Sequence, residues 1–128
     1  MRRRIQLSRG RIRQYAGRAL RALPDQYREA ADNVLVVVEN RPRRSDYKGS
    51  RGSPDRDDDS QLLGVYRGTP LTERAGYQLV TPDVIAIFRK PLLTMCRSRR
   101  DACAEVRLTV LHEFGHFLGL SESEVQHL

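Results

Sequence analysis

The sequence predicts an α+β domain, with a small mixed sheet of about three to four strands packed on an N-terminal helix and a C-terminal helix. Three observations carry that expectation. Residues 33–39 (NVLVVVE) and 84–88 (VIAIF) are short runs rich in branched apolar side chains, and residues 62–67 (LLGVYR) make a third run of strand length. Near both ends of the chain, over residues 11–23 and 99–118, apolar residues recur at three- and four-residue steps, the period of a helix. A length of 128 residues fits one domain with one modest core.

Residues 1–10 are Arg-rich with little to bury, so they are expected to form a disordered basic arm ahead of a single domain over residues 11–128. Ile12, Tyr15, Ala16, Ala19, Leu20 and Leu23 then line one helical face, and arginines fall on the other. Pro24 ends this helix or starts a second turn, and residues 25–31 fit one more short helix. The run at 33–39 has no polar alternation, so it is expected to be buried on both faces and central in the sheet. A loop follows, expected to be disordered over about 41–60. Its acidic cluster, Asp55, Asp57, Asp58 and Asp59, lacks the glycine and distal glutamate of a calcium loop.

Within the second strand, Gly64 points to close approach of another backbone or to an edge bulge. Gly68 to Pro70 reads as a turn, and residues 91–95 as a short helical or irregular link. Ser98 is a good N-cap, with Asp101 three residues on, for a helix over residues 99–118. On that helix Cys103, Val106, Val110, Phe114 and Phe117 form the stripe expected to meet the sheet. Glu105, Thr109, His112 and His116 form a neighbouring stripe expected to face a cleft. Ser121 and Glu124 resemble a second cap, opening a short terminal helix from Glu122.

The chemistry concentrates in VLHEFGHFLGLSE. Residues four apart on a helix sit one turn apart on one face, so His112 and His116 can direct two imidazoles at one ion. Two neutral imidazoles suit zinc. Glu113 is the next residue round, placed beside the ion, where a carboxylate can take a proton from an activated water. A catalytic zinc usually takes three protein ligands. The donors after His116 are Glu122, Glu124 and His127. Gly119 tolerates the left-handed backbone that ends a helix, and the turn it makes would bring Glu122 back soonest; His127 is the alternative.

HExxHxxGxx followed by a ligand is similar to the metzincin-type pattern, in which the last position is usually His and sometimes Asp, where Glu122 stands here. Together with LLGVYRGTPLTER, PDVIAIFRKPLLTMC and EVRLTVLHEFGHFLGLSESEV, the chain from about Leu20 onward resembles the small bacterial zincin-like metallopeptidases. The resemblance implies a minimal zincin-like fold, Zn2+ as cofactor and hydrolysis of a peptide or protein substrate. It also implies a bacterial source. The Met-turn of metzincins has no counterpart, since Met95 lies upstream of the zinc motif. In zincins an exposed strand pairs with the extended substrate, and residues 62–67 are the candidate for it. Tyr66, Tyr77 and His127 are the candidates for stabilising an oxyanion. An anionic third ligand predicts a less electrophilic zinc, and with it slow turnover or a narrow substrate range.

Composition bounds the other classes. There is no apolar run of membrane-spanning length and no apolar segment behind the basic start, so a cytoplasmic protein without a membrane partner is expected. Cys96 and Cys103 lack metal-site spacing and read as reduced thiols. Eight arginines and no acid fall within residues 1–21, against a whole-chain net charge of +7, which leaves −1 for the rest. That arm suggests a contrasting reading, a non-catalytic interaction module with a structural or relic metal site, whose arginines bind nucleic acid or an acidic partner. No base-reading or aromatic motif accompanies the arginines, so a solvated face on a monomeric enzyme is the expectation.

Overall fold

The computed structural model describes residues 5–47, 62–74 and 82–126, without the side chain of Glu122. Helix α1 spans Arg9–Arg21 and buries Ile12, Tyr15, Ala16 and Ala19. It begins two residues earlier than the sequence pattern indicates. Ser8 is its N-cap, with Oγ accepting from the Arg11 backbone N–H at 3.1 Å. Leu7, just before the cap, is 3% exposed and shares the main core with Ile12, the arrangement of a hydrophobic staple. The basic arm expected over residues 1–10 is therefore ordered from at least Leu7 onward, and residues 1–4 lie outside the described residues.

Helix α2 spans Asp25–Ala31. Strands β1 (Val34–Glu39), β2 (Gly64–Arg67) and β3 (Asp83–Phe88) form a mixed sheet in the order β1-β3-β2. β1 runs parallel to β3, and β2 antiparallel to it. This corrects the expectation that residues 33–39 are central: β3 holds the middle and β1 an edge. The reason lies in what each face meets. Ile85 and Ile87 enter the main core, while Ala86 and Phe88 fill a second cluster on the opposite face. β1 has no such double cover, and its Leu35 is 58% exposed. A continuous apolar run is compatible with either position, so pairing decides.

Helix α3 (Arg89–Met95) carries Pro91 in its first turn, where a missing N–H costs little. Helix α4 (Arg99–Leu118) starts at the expected cap, with Ser98 Oγ accepting from the Asp101 backbone N–H. Its Val106, Val110, Phe114 and Phe117 are buried against α1 and the sheet. Among the described residues no helix is long and apolar enough to cross a membrane. Both cysteines are free thiols.

Two contacts set the geometry. The first is at Gly64, where a Cβ would lie 2.6 Å from Thr109 Cγ2 and 2.8 Å from the Ala86 carbonyl oxygen. The glycine lets α4 lie directly on β2, so of the two expectations for this position, close approach is the one realised. The second ties the far face of the sheet. Arg67 donates to Glu39 from Nη1 at 3.0 Å and from Nη2 at 2.9 Å, and to Asp46 from Nε at 2.9 Å and from Nη2 at 2.8 Å. The Arg43 backbone N–H donates to Asp46 at 2.7 Å. Residues 41–47 are thereby drawn onto the sheet through the 3₁₀ turn Arg44–Tyr47, where disorder was expected; residues 48–61 lie outside the described residues.

Burial pushes the Asp46 carboxyl up, but the hydrogen bonds from Arg67 and the Arg43 N–H outweigh it and hold it below the usual range. The Arg67 hydrogen bond likewise holds Glu39 down. A depressed folded pKa gives stability that is complete above the unfolded value, about 4, and is lost as pH falls through the folded one. Asp46→Asn should therefore cost about 1–3 kcal/mol at pH 7 and progressively less below about pH 4, read by urea denaturation at both pH values. Gly64→Ala should lower the urea midpoint, with a loss of about 1–3 kcal/mol, because both clashing groups are in packed elements.

Candidate metal centre

Helix α4 carries His112, Glu113 and His116 through the last turns before its end. That end is built by Gly119, at φ 83°. The Gly119 N–H reaches the carbonyl of His116 at 3.0 Å and the Leu120 N–H that of Gly115 at 2.9 Å, the pairing of a Schellman stop. A Cβ on Gly119 would also meet Thr72 Oγ1 at 2.2 Å, so the turn Leu71–Glu73 closes over the helix end.

Beyond the stop, α5 (Glu122–Val125) folds back along α4. Val125 is buried, and a Cβ on Gly115 would meet its Cγ2 at 2.4 Å. The expected second cap forms in full: the Glu124 N–H donates to Ser121 Oγ, and the Ser121 N–H donates to the Glu124 carboxylate, each at 3.2 Å. One Glu124 carboxylate oxygen is thus engaged in capping α5. Glu122 opens α5; its side chain and the whole of His127 lie outside the described residues.

His112 Nε2 and His116 Nε2 stand 3.2 Å apart, with the rings edge to face at 73°. Two nitrogens on one tetrahedral zinc at 2.0–2.1 Å would be about 3.3 Å apart. The observed pair fits that span without rearrangement. Both rings are half-buried, while Glu113 beside them is 3% exposed. One ligand atom from each of the three residues lies within 4.8 Å of the others, so the group could hold a metal ion.

The buried Glu113 carboxylate is held by main chain. Its Oε1 accepts from the Tyr66 N–H of β2 at 2.8 Å, and its Oε2 lies 4.0 Å from His112 Nε2. This contact follows from the packing at Gly64. Thr109 faces Gly64, and four residues along the helix, about 6 Å, match two along the strand, about 6.8 Å, so Glu113 arrives at Tyr66. Nothing in the sequence marked this donor, because it is a backbone group.

Tyr66 is itself braced. Its ring packs edge-on to Phe117 at 5.8 Å, and its hydroxyl donates to the buried Asp83 at 2.7 Å. Arg74 also donates to Asp83, reaches the Thr69 carbonyl at 2.8 Å and lies 5.7 Å over the Phe117 ring. Burial, then the Asp83 hydrogen bond, push the Tyr66 phenol well above its ordinary range. With its hydroxyl engaged by Asp83, Tyr66 does not present it to the imidazole pair. Tyr77, like His127, lies outside the described residues. Asp83 and Arg74 escaped the sequence reading, in which the third strand began only at Val84.

No curated protein matches the chain. A family match runs from residue 31 to residue 128, from the end of α2 through all three strands and the histidine-bearing helix, and by that match the chain belongs to the zincin-like metallopeptidases.

Proposed function

We propose that the protein is a zinc-dependent peptidase in which His112, His116 and Glu122 hold the ion and Glu113 is the general base. The observation that carries this reading is the pair of Nε2 atoms 3.2 Å apart beside a carboxylate that is 3% exposed. Zinc, when bound there, supplies a Lewis acid that lowers the pKa of water and polarises a carbonyl. Glu113 takes the proton released from the attacking water and delivers it to the departing amine nitrogen. The Tyr66 N–H fixes one Glu113 oxygen in advance, so the other needs no reorientation when substrate arrives.

Glu122 is favoured as third ligand by its chemistry and place in the chain. It directly follows the Gly119 turn, and its helix is docked at Gly115, next to His116. Glu124 is less favoured, since one of its carboxylate oxygens caps the Ser121 N–H. A peptide substrate is supported by the position of β2, which lies at the sheet edge beside Glu113. An extended chain can add to such an edge as a further strand. Its hydrogen bonds would have to work around the Tyr66 N–H, which is already given to Glu113.

Glu113→Gln keeps an acceptor for the Tyr66 N–H but removes the base. It should retain zinc by metal analysis and lose about 100-fold or more of wild-type cleavage on a peptide library; cleavage at the wild-type rate would refute the assignment. Glu122→Ala should weaken zinc affinity by about 100-fold or more, measured by competition with a chelating dye, while His127→Ala leaves it near wild type. The opposite pattern would transfer the third position to His127.

A further inference from the structure

A second site is written into the opposite end of α4. We propose that the cleft between the starts of α1 and α4 binds the phosphoryl group of a small phosphorylated ligand. The cleft measures about 390 Å³ and is lined by Gln6, Leu7, Ser8, Arg11, Arg89 and Arg99. Its three arginines come from three different elements, α1, α3 and α4, and among the described residues no carboxylate lines it. Among the described residues none of the three guanidiniums has an ion-pair partner, whereas Arg67 and Arg74 are bound to carboxylates. The fold therefore gathers like charges around one space, and the described residues supply no counter-charge there.

The cleft is also shaped for an anion. Arg89 Nε donates to the Leu7 carbonyl at 2.8 Å, which fixes the plane of its guanidinium beside the buried Leu7. Ser8, the N-cap of α1, and Arg99, the first residue of α4, both line this space, so it lies near the starts of helices of 13 and 20 residues. A carboxylate is satisfied by one forked guanidinium. Three guanidiniums from three elements suit a tetrahedral dianion, whose oxygens accept from several directions. The volume falls at the small end of ligand pockets and accommodates a phosphate with a modest attached group. Arg99 precedes His112 by thirteen residues of one helix, about 20 Å, so the cleft is separate from the metal centre and does not rest on how that centre is read.

Calorimetric titration of the full chain with inorganic phosphate and with a nucleoside 5′-monophosphate, at constant ionic strength, tests the site. Both ligands should bind with millimolar or tighter affinity. Arg11→Ala and Arg99→Ala change exposed side chains, so the fold should tolerate them, and each should weaken binding about tenfold or more. Arg13→Ala, an exposed arginine of α1 outside the cleft, should change it less than about twofold. Binding that survives Arg11→Ala and Arg99→Ala would place the phosphate elsewhere, the zinc included, and overturn the proposal. So would absence of binding. A single-stranded oligonucleotide without terminal phosphate is the third arm. If it binds more tightly than the monophosphate and loses as much affinity with Arg13→Ala as with Arg11→Ala, a diffuse basic face is responsible and the cleft is not a site.

Discussion

The close seating of α4 on the edge strand β2 is the constraint on which the rest of this structure depends. Gly64 removes the side chain that would hold the two apart, and Thr109 fills the space. The match between helical and strand rise then brings Glu113 to the Tyr66 N–H. One packing contact thus settles both the position of the sheet against the core helix and the orientation of the acid in the candidate metal centre. A carboxylate that is 3% exposed is costly to bury without a donor, and here a rigid strand supplies one.

Around that contact the polar groups are arranged so that few of their bonds are local in sequence. Tyr66, Asp83 and Arg74 join the end of β2, the start of β3 and the segment after the turn Leu71–Glu73, all over the Phe117 ring of α4. Thr72 closes on Gly119 and Val125 on Gly115, so the last turn of α4 is gripped from two sides. These bonds tie down the turn that carries His116, which is what a site built from two imidazoles requires, since a small rotation of the helix end would spread the nitrogens.

The opposite face of the sheet is held differently. A single guanidinium, Arg67, spans Glu39 and Asp46 and lies 5.9 Å over the Phe88 ring, in place of the helix that covers the first face. Its side chain is 20% exposed and that of Asp46 only 3%, so the pair sits between the surface and the small cluster of Leu62, Ala86 and Phe88. An arrangement of this kind gives more direction than energy, because desolvation offsets much of the attraction.

The sequence alone determined the features that depend on neighbours a few residues away. These are the cap at Ser98, the capping box at Ser121 and Glu124, the left-handed stop at Gly119 and the pairing of His112 with His116 on one helical face. Each is a matter of helical period or of a backbone preference, and both are encoded locally. Tertiary structure decided which apolar strand lies in the middle, because β1 and β3 carry the same kind of side chains and differ only in what covers them. It decided that residues 41–47 are ordered, through an arginine more than twenty residues away, and that Leu7 belongs to the core. It alone provided the donor for Glu113, since a backbone N–H has no letter in a sequence and becomes available only where an edge strand leaves it unpaired within the sheet.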